Sequence, residues 1–134
     1  MKPVSAFDLF AKSKDIGGLS FGVPSLDTMI DPLVPSGVIE ISGEAGCGKS
    51  QICLTLALRC QLPHDLGGME GTTAYMSCGE GDFPVRRLSQ MANAMNSQLV
   101  SEYNLPPGSA PIMLGKVLIE QVDHFEHLKE SLVC

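Results

Sequence analysis

Val38-Ile39-Glu40-Ile41-Ser42-Gly43-Glu44-Ala45-Gly46-Cys47-Gly48-Lys49-Ser50 is the stretch on which the fold turns. Its first five residues carry the β-branched content of a strand. Gly43 to Gly48 must then turn. Lys49 to Gln61 reads as a helix whose Ile52, Leu54, Leu56, Ala57 and Leu58 are apolar on most faces, so it is expected to be buried nearly all round. Gly43, Gly48, Lys49 and Ser50 fit the pattern G-x-x-x-x-G-K-[ST]. Between a strand and a helix, that pattern reads as a phosphate-binding P-loop rather than a glycine-rich turn with an incidental lysine.

The residue types follow from the chemistry. Triphosphate oxygens need several N–H donors converging on one concavity, so the backbone must curl without Cβ atoms in the way. Gly43, Gly46 and Gly48 allow this, and Glu44, Ala45 and Cys47 complete the loop. The helix that follows aims its unpaired N–H groups and positive dipole end at the same place. Lys49 is expected to reach the β- and γ-phosphates of ATP, and the Ser50 hydroxyl to ligate Mg²⁺. Hydrolysis needs a residue to activate water and an Asp to hold magnesium. Glu80, just after the next predicted strand, is the natural water activator, against an ordinary loop carboxylate. For the magnesium Asp only Asp123 offers itself. Glu120-Gln121 is expected to break its strand and Asp123 to serve as a helix cap, so that role is rejected.

Outward from the loop, helices and strands alternate. Met1 to Ser20 is a polar lead-in anchored by Phe7 and Phe10, and Asp31 to Gly37 is a loop. His64 to Thr72 is a flexible connection, and Thr73 to Cys78 a second strand. Asp82 is expected to cap a helix with Pro84 in its first turn and Leu88, Met91, Ala92 and Met95 on its core face. Ser97 to Pro111 reads as a loop and Val117-Leu118-Ile119 as a third strand. Asp123 and Glu126 form a capping-box pair opening a last helix with Phe125, Leu128 and Leu132. Such alternation implies an α/β fold with a mostly parallel sheet and flanking helices. Residues 1–19 are expected to be a linker and residues 20–134 part of one ATPase domain.

Composition sets the bounds. The 134 residues are 44% hydrophobic and 18% charged, which suits a globular domain. No apolar run approaches a membrane span, and Met1 to Ser5 lacks a signal-peptide pattern. The net charge of −6 argues against nucleic-acid binding by this segment, so DNA contacts are expected elsewhere. Five cysteines without a C-x-x-C pair point to reduced thiols inside the cell. Cys47 reads as a packing residue rather than a reactive thiol. His124 and His127 are better explained as part of a solvated, acidic first turn than as metal ligands. Arg86-Arg87 reads as a solvated pair.

With these residues placed, Ser36 to Leu88 resembles the N-terminal half of a RecA-type ATPase core, nearest the eukaryotic strand-exchange recombinases and their paralogues. Gly22-Val23-Pro24-Ser25-Leu26-Asp27 resembles the family's entry motif. The Gln-Ile-Cys after the loop, the Cys-Gln-Leu-Pro helix exit and the Gly-Gly-x-x-Gly connection are specific in combination. Cys78-Gly79-Glu80 with Phe83-Pro84 is most similar to the X-ray-repair cross-complementing branch of the paralogues. The strand-exchange enzymes carry Phe-Arg-Pro there. The resemblance implies homologous-recombination repair of DNA, a nuclear location, and a partner paralogue in a heteromeric complex. It also implies that Glu80 takes the catalytic glutamate's place, that Gln51 lies beside the nucleotide, and that Arg87 lies against the adenine. Pro32-Leu33 departs from the family's Gly-Gly, and Pro3-Val4-Ser5-Ala6 from its Phe-x-x-Ala docking motif. The chain is expected to stop before the Walker B strand and the DNA-binding loops, and so not to turn over ATP by itself. A non-catalytic subunit in which ATP cements a protein interface, another RecA-superfamily enzyme, or a non-functional fragment are the alternatives.

Overall fold

The computed structural model describes residues 5–8, 18–30, 33, 37–78, 81–103 and 109–133. The chain divides into two compact units, Met1–Gly71 and Thr72–Cys134.

In the first unit, helix α1 spans Pro24–Met29 and helix α2 spans Lys49–Arg59, followed by a 3₁₀ turn at His64–Leu66. Pro24 suits the first turn of α1, where its missing N–H costs nothing. Phe21, Leu54, Ala57, Leu58 and Leu62 are buried. The helix predicted over 49–61 therefore forms but buries one face only. Ile52 and Leu56 stay half-buried and line a groove of about 760 Å³ with Leu26, Ile30, Ile39 and Ile41.

The strand expected at Val38–Ser42 is not one: these residues join no β-ladder, and the Val38 side chain is 100% exposed. β-branched content favours an extended backbone, but a strand exists only where a neighbour takes its hydrogen bonds. Among the described residues no neighbouring strand pairs with this segment.

The entry to α1 is held by side chains. Asp27 accepts the Phe21 N–H at 2.7 Å and the Ser20 hydroxyl at 2.9 Å. Across 39 residues of sequence, Arg59 donates to the Ser20 carbonyl (2.8 Å) and the Ser20 hydroxyl (3.2 Å), and it also donates to the nearby Leu66 carbonyl (3.0 Å). Gly22, at φ +70°, lies so close that an added Cβ would sit 2.4 Å from the guanidinium.

In the second unit, strands β1 (Thr73–Cys78) and β2 (Val117–Val122) pair in parallel, Thr73 opposite Val117 and Cys78 opposite Val122. Helices α3 (Val85–Tyr103), α4 (Ala110–Gly115) and α5 (Phe125–Val133) accompany them. Leu88, Ala92, Leu99, Ala110, Met113, Val117 and Val122 are buried, while Met91 and Met95 are half-buried at the edge of that core.

Four expectations are corrected here. The loop predicted from Ser97 to Pro111 is helical at both ends. Ser97 bonds the Asn93 carbonyl and Leu99 is buried, so polar residues ride on a helix that packing sustains. Pro111 falls in the first turn of α4, where proline is tolerated. Strand β2 does not break at Glu120-Gln121, because pairing with Met76 and Ser77 is a backbone matter. The last two corrections concern helix starts. The α3 ladder begins with Leu88 N–H on the Pro84 carbonyl, beyond Asp82. In α5, Leu128 N–H bonds His124, so His124 rather than Asp123 precedes the first turn.

Partial burial raises the Asp27 carboxyl, but the Phe21 N–H, the Ser20 hydroxyl and the Arg59 charge outweigh it and hold its pKa below the ordinary 3.8. The stabilisation is therefore complete above pH 3.8 and lost as pH falls through the lower folded value. Asp27→Asn is expected to lower the unfolding midpoint at pH 7 by roughly 5 °C. In a thermal series down to pH 2, its difference from the wild type should shrink once the wild-type carboxyl is protonated.

Candidate functional site

The Gly43–Ser50 segment is built by glycines that adopt what L-residues resist. Gly46 has φ +79° and Gly48, the residue capping α2, has φ +100°. Between them the Cys47 N–H closes a turn on the Glu44 carbonyl at 3.4 Å. Residues Gly43 to Cys47 are exposed, and nothing lies within 4 Å of a Cβ built on Gly46 or Gly48.

Helix α2 starts at once. Its first intrahelical bond is Ile52 N–H to Gly48 C=O at 3.0 Å, so the Lys49 and Ser50 N–H groups have no acceptor within the helix. Lys49 folds back over the loop, its Nζ donating to the Gly43 carbonyl at 2.9 Å and the Glu44 carbonyl at 2.8 Å. The same ammonium lies 3.8 Å from Cys47 Sγ, and a Cβ on Gly43 would sit 2.8 Å from that sulfur. Cys47 is nevertheless exposed, so its thiol stands beside the ammonium and is not packed in a core.

This geometry gathers Gly43, Glu44, Ala45, Gly46, Cys47, Gly48, Lys49 and Ser50 into one loop and helix turn, with Gln51 exposed beside them. A tight, Cβ-poor curl, a helix N-terminus and the Lys49 ammonium fit the triphosphate of a nucleotide. Arg87 is exposed on the first turn of α3 and belongs to the other unit. Glu80 lies outside the described residues. Among the described residues, no group of three His, Cys, Asp or Glu side chains could hold a metal ion. His124 is exposed and His127 half-buried: the His127 Nε2 lies 3.2 Å from Glu120 Oε1, which also accepts the Ser131 hydroxyl at 2.7 Å.

A family model described as Rad51 matches residues 12–104. The chain belongs to the Rad51 family. Its α/β architecture with a parallel pair of strands is accordingly that of a RecA-type core. It is 42% identical over 90 residues to the DNA repair protein RAD51 homolog of Solanum lycopersicum, covering 66% of this chain and 26% of that protein. With the DNA repair and recombination protein RadA of Aeropyrum pernix it shares 38% over 92 residues, 68% of this chain and 28% of the relative. The DNA repair protein XRCC3 homolog of Arabidopsis thaliana is 37% identical over 92 residues, covering 66% and 28%. The matched stretch thus spans about a quarter of each of these relatives.

What reading the sequence missed is the Ser20–Asp27–Arg59 cluster. The Leu26-Asp27 pair was visible as an entry motif, and Arg59 sits in the last helical turn where a cation is favoured. Their meeting is a matter of tertiary contact.

Gly48→Ala forces an L-residue to φ +100°, and is expected to cost about 1–2 kcal/mol of stability. Chemical denaturation of the two proteins side by side measures it; an equal midpoint contradicts the left-handed cap.

Proposed function

We propose that this chain is an ATP-binding subunit of DNA double-strand-break repair by homologous recombination, a recombinase paralogue of the Rad51 family. The observation that carries the reading is the loop itself. Two left-handed glycines, an exposed loop and the first turn of α2 stand together in a Rad51-family chain. Lys49 would hold the β- and γ-phosphates, the Ser50 hydroxyl would hold Mg²⁺, and the loop N–H groups would hold the remaining oxygens. Bound ATP·Mg²⁺ would supply the energy of phosphoryl transfer. By the family resemblance Glu80 would activate the water, Gln51 would serve beside the nucleotide and Arg87 would serve the adenine.

The relatives named for DNA repair support the pathway, and the XRCC3 homolog supports the paralogue reading, with a second paralogue as partner in the nucleus. The acidic net charge of −6 favours DNA contacts supplied beyond this chain. No described helix is long and apolar enough to cross a membrane.

Lys49→Ala is expected to weaken ATP binding by about tenfold or more in an equilibrium titration, because the phosphates lose their nearest cation. Unchanged affinity would remove the assignment of Gly43 to Ser50.

In a full-length protein with its partner, Glu80→Gln should keep ATP affinity while slowing turnover about 100-fold or more. Turnover at the wild-type rate would move catalysis to another carboxylate, or make ATP an interface element only.

A further inference from the structure

Helix α2 is fixed at one end and open at the other. Its N-terminus is the exposed loop, whereas its C-terminal end is bonded on several sides. The Cys60 carbonyl accepts Met69 N–H at 3.1 Å and Gly71 N–H at 3.0 Å, both from the chain that leaves the helix. Arg59 reaches from the helix to the distant entry segment, bonding both Ser20 oxygens, and it adds the Leu66 carbonyl. Asp27 holds the same Ser20 hydroxyl and the Phe21 N–H, and its charge faces the guanidinium. The backbone is cut to fit: Cβ atoms on Gly22 and Gly67 would strike Arg59 and Ser20 respectively. One backbone bond, Ser20 N–H to Gly67 C=O at 2.9 Å, runs alongside but does not touch the helix.

Resting on the nucleotide site argued above, we propose that Arg59 is a positioning residue for it. By clamping the far end of α2 to Ser20 and Asp27, it sets the direction in which the first turn presents Lys49, Ser50 and their N–H groups. The lever is large. An 11-residue helix is about 16 Å long, so a tilt of about 10° at the clamp moves its other end by about 3 Å. That is a whole hydrogen-bond length, and phosphate contacts tolerate far less. Coupling runs both ways: a nucleotide that holds the first turn must also steady the clamp and the Phe21 N–H it organises.

The test uses the whole 134-residue chain, titrated with ATP and Mg²⁺ below the unfolding midpoint of each variant. Arg59→Met is expected to raise the Kd about fivefold or more with binding stoichiometry unchanged, and Arg59→Lys to recover part of the loss. A merely structural role would lower the midpoint and the bound fraction without moving the Kd of folded protein, and that result overturns the proposal. Should Arg59→Met not fold, amide exchange in the wild type decides. Saturating ATP slows exchange of the Phe21 N–H if the clamp is coupled; unaltered exchange overturns the coupling. Wild type that binds ATP while Arg59→Met binds equally well removes only this inference. Wild type that binds none removes the nucleotide site and this inference together.

Discussion

The Arg59 guanidinium is the point at which the first unit is tied. Its fork of donors suits three oxygen acceptors at once, which an ammonium on a flexible stem would satisfy less rigidly. It sits in the last turn of α2, where the helix dipole favours a cation, and it is half-buried, so water competes for it only in part. The entry to α1 is built against it. Ser20 and Asp27 are fixed against it, Phe21 is buried next to them, and the turn into α1 follows.

The second unit is organised differently. Its buried residues come from α3, α4 and the ends of β2, and no described side chain of α5 is buried. That helix turns a polar face to the strand, with His127 and Ser131 one turn apart on the same Glu120 oxygen. Phe125 and Leu132 stay exposed. A carboxylate that seemed to interrupt an apolar strand is thus the anchor for the helix beyond it. Its cost of partial burial is offset by two donors.

In the loop, the Lys49 ammonium donates to the Gly43 and Glu44 carbonyls and so ties the residues that open the turn to the first residue of α2. The N–H groups of Lys49 and Ser50, at the start of α2, have no acceptor within the helix, and they stand in a chain that is acidic overall, with a net charge of −6.

The loop, the helix behind it and the strand at Thr73 were legible in the sequence because their causes are local. Glycine spacing permits left-handed φ at Gly46 and Gly48, and periodic apolar residues make α2 and α3. Helix ends were less legible: Ser97 and Asp123 carry polar side chains that suit loops and caps, yet packing and neighbouring carbonyls set the boundaries. Val38 to Ser42 has the residues of a strand but not the partner, since pairing is a property of two segments and not of one. The sequence by itself therefore determined the glycine-rich loop, the helix behind it and the family. Only the tertiary structure decided that Arg59 meets Ser20 and that Glu120 holds α5, because side chains 39 and 11 residues apart are brought together by the path of the chain between them.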